Sequence, residues 1–316
     1  MEKRQLGSTD LYVYPVTFGG NVFGWTIDEK QSFEILDAFT GAGFNFIDTA
    51  DVYSRWKPGN EGGESETIIG NWLKKNKNRD QIVIATKVGS DMGNGKKGLS
   101  KKYIIQAAEA SLKRLQTDHI ELYQTHFDDE STPIEETLEA YAQLIKEGKV
   151  RHIGASNLSA ERLKESLEIA ALNGLPAYQT FQPEYNLYER EKYENGLEPL
   201  CLGNSLGVLN YYSLASGFLT GKYRTKDDLG KSARGGDMDK HFNDRGFKVL
   251  AVLDEVSKTL NTTPATVALA WLIHRPSVTA PIVSATSIKQ LDAIIKAPDL
   301  AMTAHEIELL TQESAW

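Results

Sequence analysis

Short runs of apolar and β-branched residues alternate with longer segments whose apolar positions recur every three or four residues. An opening hairpin is expected over Lys3–Leu6 and Tyr12–Tyr14. Strands are then expected at Val16–Phe18, Asn45–Ile47, Ile82–Thr86, His119–Gln124, Val150–Ile153, Tyr178–Phe181, Val208–Tyr211 and Ala280–Val283. Amphipathic helices fill the intervals. Their stripes include Ile105, Ala108, Leu112 and Leu115; Ile134, Leu138, Tyr141 and Ile145; and Val249, Val252, Leu253, Val256 and Leu260.

The helix boundaries carry matching chemistry. Asp28, Ser100 and Ser159 stand at N-cap positions, and Gly148 at a C-cap. In Thr132-Pro133-Ile134-Glu135 and again in Thr263-Pro264 a proline occupies the first helical position. Strand–helix units repeated eight times predict an α/β chain folded as a single (β/α)8 TIM barrel domain over residues 1–316. The N-terminal β-hairpin and extra C-terminal helices lie outside the repeat. An open doubly wound sheet uses the same alternation but rarely reaches eight units. No Ser/Gly/Pro linker divides the chain. One long polar stretch, Lys222–His241, reads as a mobile surface loop.

Composition narrows the class. The chain has 316 residues, 41% hydrophobic and 25% charged, with a formal charge of −8, a balance expected of a globular protein without affinity for nucleic acid or anionic lipid. Its single cysteine, Cys201, has no partner for an intramolecular disulfide and suits a reducing compartment. The apolar segment Val267–Ile273 is too short to span a bilayer, and Met1–Gln5 does not open a signal peptide. A cytoplasmic location is expected. The six histidines form no close pair or Cys/His cluster, so no metal site is expected.

In a βα barrel, chemistry collects at the C-terminal strand ends. There the chain places Asp48 and, five residues on, Tyr53; Lys87; His126; Ser156 and Asn157; Gln182; and Tyr212-Ser213. Singly, each has an ordinary structural reading as a turn residue, a solvated terminus or a packing aromatic. Together the first four make a proton donor. A lysine cation favours the phenolate of a neighbouring tyrosine, a carboxylate holds the lysine charged, and a histidine shares the proton task. Such a set suits carbonyl reduction, which also needs a hydride source that no side chain supplies.

These residues lie in longer segments that resemble the aldo-keto reductase superfamily. The segments are Gly41-Ala42-Gly43-Phe44-Asn45-Phe46-Ile47-Asp48-Thr49-Ala50-Asp51-Val52-Tyr53, Gly154-Ala155-Ser156-Asn157, Gln182-Pro183-Glu184-Tyr185-Asn186 and Ser213 through Tyr223. The similarity runs from Leu6 to about Ala297 and points to a bacterial branch, with the Shaker channel β subunits as more distant relatives. By that resemblance Asp48, Tyr53, Lys87 and His126 match a catalytic tetrad with Tyr53 as general acid. Ser156, Asn157 and Gln182 match residues holding the nicotinamide carboxamide. Tyr212 falls where an aromatic, often tryptophan, stacks on the nicotinamide, and Ser213, Leu214, Ser216 and Gly217 match the pyrophosphate segment. At the adenosine end Ser284 and Gln290 stand where basic residues often meet the 2′-phosphate, and Ala293-Ile294 replace a common Glu-Asn pair. NADPH/NADP+ is the cofactor implied, with NADH left open.

Asn21, Val22, Trp25, Trp56 and Phe127 are expected to line a pocket for a small-molecule carbonyl substrate. The string Gly93-Asn94-Gly95-Lys96-Lys97-Gly98 matches a dinucleotide fingerprint but lies between a strand ending near Val88 and a helix starting at Ser100, so it reads as a solvated loop. Two functions compete: a reversible NAD(P)H-dependent carbonyl reductase, and a cofactor-binding, redox-sensing regulatory subunit. Oligomeric state is not written in these motifs.

Overall fold

The computed structural model describes residues 1–231 and 235–316. The chain opens with an antiparallel hairpin of β1 (Arg4–Gln5) and β2 (Tyr12–Val13). Eight further strands follow: β3 (Thr17–Gly19), β4 (Phe46–Asp48), β5 (Val83–Val88), β6 (Ile120–Thr125), β7 (Val150–Ser156), β8 (Thr180–Gln182), β9 (Gly207–Val208) and β10 (Ile282–Val283). All eight are parallel, in the order β10-β3-β4-β5-β6-β7-β8-β9. The sheet curls until its edges meet: Val208 bridges Val278, and the N–H groups of Thr279 and Ile282 donate to Val208 O and Asn210 O, both at 2.9 Å. This curled, parallel α/β sheet matches the expected (β/α)8 class.

Of the eight parallel strands, seven begin or end one to three residues nearer the C-terminus than the expected spans, whereas β9 starts one residue before the expected Val208–Tyr211 and stops three residues short of its end. Asp48, Lys87, Ser156 and Gln182 therefore belong to the ladder itself rather than to the loops beyond it.

Helices α1 (Glu29–Gly41), α2 (Glu64–Asn76), α3 (Lys101–Leu115), α4 (Ile134–Lys146), α5 (Ala160–Asn173), α6 (Glu198–Gly203), α7 (Asp244–Thr259), α8 (Pro264–His274), α9 (Ile288–Ile295) and α10 (Ala304–Glu313) cover the sheet. Asp28 closes a capping box with Gln31, and Ser100, Ser159 and Thr263 cap α3, α5 and α8 as expected. At α4 the helix starts one residue later, so Pro133 is the N-cap and Thr132 Oγ1 donates to Asp129 Oδ2 instead. The stripe of α3 is centred on Ile104, with Ile105 half-buried at its edge.

Strand periodicity creates two cores. Ile47, Ile84 and Tyr123 face the helices. Phe46, Val83, Ala85, Leu122, Leu209 and Ile282 face inward and pack on Leu6, Leu11 and Val13 of the hairpin region. Two positions beyond Phe46, Ala85 and Leu122, on the same inward face, come Asp48, Lys87 and Gln124. The hairpin end of the interior is apolar and the opposite end polar.

The stretch expected as a loop, Lys222–His241, has 3-10 turns at Lys226–Lys231 and Gly235–His241; Ser232, Ala233 and Arg234 lie outside the described residues. Tyr223, Met238 and His241 are buried, and Arg224 grips Asp254 through both terminal nitrogens at 2.7 and 2.8 Å. Among the described residues no helix is long and apolar enough to cross a membrane.

Candidate active site

Asp48 ends β4 and Lys87 is the fifth residue of β5, so both project into the polar end of the curled sheet. Both are buried. Lys87 Nζ donates to Asp48 Oδ2 at 2.6 Å, to Thr49 O at 2.8 Å and to Tyr53 Oη at 2.8 Å. These three bonds use all three ammonium hydrogens. Asp48 Oδ1 accepts from Gln124 Nε2 at 3.1 Å and Gln182 Nε2 at 3.0 Å. The buried pair is therefore satisfied on both sides, the condition under which such a pair is tolerated.

Tyr53 comes from the loop after β4, where two short polar contacts set its path. Ser54, at φ 74°, donates its hydroxyl to Phe23 O at 2.5 Å, and Asn60 Nδ2 ties Ser54 O at 2.8 Å. Ser65 Oγ bonds both Thr49 Oγ1 and Gly20 O at 2.8 Å, and a Cβ on Gly20 would stand 2.8 Å from that hydroxyl. The glycine is what lets α2 close on the loop.

Burial pushes the Tyr53 hydroxyl above its ordinary range; the Lys87 cation opposes this and Asp48 reinforces it. Burial would lower Lys87, but the Asp48 charge and the two hydrogen bonds outweigh it, so the ammonium is held. His126 follows β6, with its ring centroid 6.0 Å from that of Tyr53. Burial, and then the Lys87 cation, hold it well below the usual histidine range. The site thus presents a protonated phenol on a fixed ammonium, beside a neutral imidazole: a proton-donating arrangement.

The other expected residues form a connected arc. Ser156 Oγ donates to Gln182 O at 2.8 Å, while Asn157 Nδ2 donates to His126 O at 2.9 Å and to Ser156 Oγ at 3.0 Å. Asn157 Oδ1 accepts from Tyr211 Oη at 2.8 Å. Tyr212 is 48% exposed, with its carbonyl held by Asn186 Nδ2 at 3.0 Å. Ser213 Oγ donates to Ile282 O at 2.7 Å, tying this arc to β10. Leu214 packs at the edge of the core, and Ser216 and Gly217 have left-handed φ values of 54° and 101°. A cavity of about 440 Å³ opens beside them, lined by Tyr212, Ala215, Ser216, Lys240 and His241, with Glu184 and Asp239 also on its wall.

Ser284 and Asn21 meet directly, Oγ to Oδ1 at 2.7 Å, and Ser284 also bonds Gly19 O at 2.7 Å. Gln290 is turned back onto its own helix start, its Oε1 accepting from Thr286 N at 2.8 Å. Around Tyr53 the aromatics link up: Trp56 lies edge-on to Tyr53 at 5.9 Å and to Trp25 at 5.5 Å, while Phe127 stacks on His126 at 4.8 Å. Trp56 and Phe127 are about half exposed, whereas Val22 is buried in the core.

Gln124 and Ser90, which carries the hydrogen bond to His126 Nδ1 at 2.9 Å, were not among the expected residues. Neither lies in a motif, and only the inward periodicity of β6 marks Gln124. Behind the site Asp51 is buried with no partner on either carboxyl oxygen among the described residues. Burial, with Glu66 adding to it, pushes it up to about 8. Glu66 accepts from Thr86 Oγ1 and Arg114 Nε, both at 2.6 Å. The glycines of Gly93–Gly98 lie in the loop before α3, which Ser100 caps. Among the described residues no three His, Cys, Asp or Glu side chains are grouped to hold a metal ion.

Comparison with known proteins identifies the family. The sequence profile described as the Aldo/keto reductase family matches residues 15–314. The uncharacterized oxidoreductase YrpG of Bacillus subtilis is 36% identical, over 98% of this chain and 95% of its own length. The aldo-keto reductase YhdN of the same organism is 36% identical over 87% of this chain and 81% of its own. A probable voltage-gated potassium channel subunit beta of Arabidopsis thaliana is 33% identical over 95% and 92%. The chain belongs to the aldo/keto reductase family of oxidoreductases.

Proposed function

We propose that the chain is an NAD(P)H-dependent carbonyl reductase, reversible as an alcohol dehydrogenase, folded as one closed barrel domain. The observation that carries this reading is the Lys87 ammonium, bonded at once to Asp48, Thr49 O and the Tyr53 hydroxyl. A phenol so held is oriented for donation, and Lys87 stabilises the phenolate left behind. Asp48 keeps the lysine charged and in place. His126, neutral, is available to hydrogen-bond the oxygen that Tyr53 protonates.

The residues present fit a dinucleotide. Ser156, Asn157 and Gln182 offer amide and hydroxyl groups to a carboxamide, and the exposed Tyr212 ring offers a stacking face. The left-handed run at Ser216 and Gly217 forms a concavity of the kind that accepts phosphate oxygens, and a Cβ on Gly217 would lie 3.1 Å from Lys222 Nζ. When bound, the nicotinamide supplies the hydride equivalent. Ser284 and Gln290 hold no charge for a 2′-phosphate, which supports a preference for NADPH over NADH below about a thousandfold.

The aromatic groups Trp25, Trp56 and Phe127 around the phenol support aryl or medium-sized aldehydes as substrates. The test is cofactor oxidation across a carbonyl panel, with NADPH and NADH, comparing wild type with Tyr53→Phe. Turnover in the variant should fall by about 10²-fold or more while cofactor still binds. Equal turnover would remove Tyr53 from the mechanism. The relative named as a channel subunit favours a second reading, a redox-sensing regulatory subunit. Wild type that binds cofactor, reduces nothing in the panel and co-purifies with a stable partner would favour it.

A further inference from the structure

The ring nitrogens of His126 differ in their surroundings. Nδ1 lies 2.9 Å from Ser90 Oγ, and Nε2 has no protein partner among the described residues. Ser90 and His126 are 7% and 9% exposed. Their meeting follows from the sheet register: Val88 pairs with Thr125, and His126 N donates to Val88 O at 2.8 Å. Ser90, two residues past Val88, then faces the imidazole one residue past Thr125.

A neutral imidazole carries one ring hydrogen, and two arrangements satisfy the Ser90 contact. If Nδ1–H donated to Ser90, the serine hydroxyl hydrogen would need another acceptor, and none bonds it among the described residues. A buried donor without an acceptor carries its full desolvation cost. If the serine hydroxyl donates to Nδ1 instead, its hydrogen is used and the ring hydrogen sits on Nε2, which is not closed off from solvent and so has water as its acceptor. We propose that Ser90 is a positioning residue whose hydroxyl fixes His126 as the Nε2–H tautomer, giving the site a second hydrogen-bond donor beside the Tyr53 hydroxyl.

The consequence rests on the carbonyl-reducing reading of the site. Nε2–H attracts a carbonyl oxygen and the alkoxide that forms from it, whereas a bare Nε2 would meet that oxygen with a lone pair. Ser90 acts only through the imidazole. Its loss lets the ring hydrogen distribute between both nitrogens, so part of the population presents the wrong face.

The test reads the tautomer directly. In the full chain labelled with 15N-histidine and free of cofactor, long-range proton–nitrogen correlation spectra report which ring nitrogen is protonated, with His126 assigned by its loss in His126→Asn. Wild type should show a bare, hydrogen-bonded Nδ1 and a protonated Nε2. Ser90→Ala should show a mixture, and Ser90→Thr should restore the wild-type pattern. In steady state Ser90→Ala should lower kcat by about tenfold with the cofactor KM unchanged, and Ser90→Thr should recover most of the loss. A wild-type ring protonated at Nδ1 overturns the proposal, and needs no variant to fold. So does a Ser90→Ala ring that keeps the wild-type pattern. Wild type that turns over no carbonyl compound would overturn the functional reading and leave the tautomer result standing.

Discussion

An ammonium with no water around it is stable only while its charge is answered. Lys87 has a carboxylate, a carbonyl and a phenol within 2.8 Å, and lies 4.6 Å from the Tyr53 ring centroid. Removing it acts on the phenol. In Lys87→Met, burial and Asp48 would raise Tyr53 unopposed, so the alkaline limb of the kcat/KM profile should move to higher pH as the rate falls. A profile at the same pH, in a variant whose melting curve shows it folded, would contradict that role. Asp51 gives a second residue-scale prediction, with its sign set by linkage. Its carboxyl has an ordinary value of 3.8 and is pushed up to about 8 in the fold. Between those values the folded state holds a proton that the unfolded chain has released, so this group's contribution declines as pH rises and levels off above about 8. Asp51→Asn removes that decline. The stability difference between variant and wild type should shift in favour of the variant from pH 4 to pH 8, by urea denaturation at each pH. A pH-independent difference would show that Asp51 is charged throughout.

At the scale of elements, the same charges explain how the strand ends were misplaced. Asp48 and Lys87 read as polar residues and so as loop, and the expected strands stop before them. In the fold, Asp48 pairs along the ladder with Ala85, and Lys87 with Gln124, because the inward side of a curled sheet lets polar side chains satisfy one another. The alternation of strand and helix, the hairpin and most caps were legible from local periodicity. That Asp48, Tyr53, Lys87 and His126 would meet was legible too, since Asp48, Lys87 and His126 stand at or just past strand ends and Tyr53 follows five residues after Asp48. Ser90 and Gln124 were not, because their roles exist only through the register between β5, β6 and the neighbouring strands. Helix packing offers a similar case. Gly70, in the middle of α2, faces the end of α3 so closely that a Cβ would stand 2.2 Å from Arg114 O. The obstacle is backbone and has nowhere to go. Gly70→Ala should therefore destabilise by about 1–3 kcal/mol despite alanine's better helix propensity, as a lower urea midpoint at unchanged slope. A gain in stability would show that α2 shifts freely.

For the molecule as a whole, the two ends of the chain are fastened to each other. Arg4 in the hairpin donates to Ile273 O at 2.8 Å and to Val278 O at 3.0 Å, carbonyls at the end of α8 and just before β10. Arg4→Ala leaves those partly buried acceptors short of a charged donor and should cost roughly 2 kcal/mol, read as a lower denaturation midpoint. An unchanged midpoint would mean that the hairpin core of Leu6, Leu11 and Val13 holds the ends together unaided. The pairing of β3 with β10 has a consequence in time. On a ribosome adding about 5–20 residues per second, β3 emerges long before its partner, and the interval is roughly 10–50 s. Through that interval the nascent chain carries an unpaired strand edge that invites the wrong neighbour. The strand that completes the sheet is thus also the one that ends this exposure.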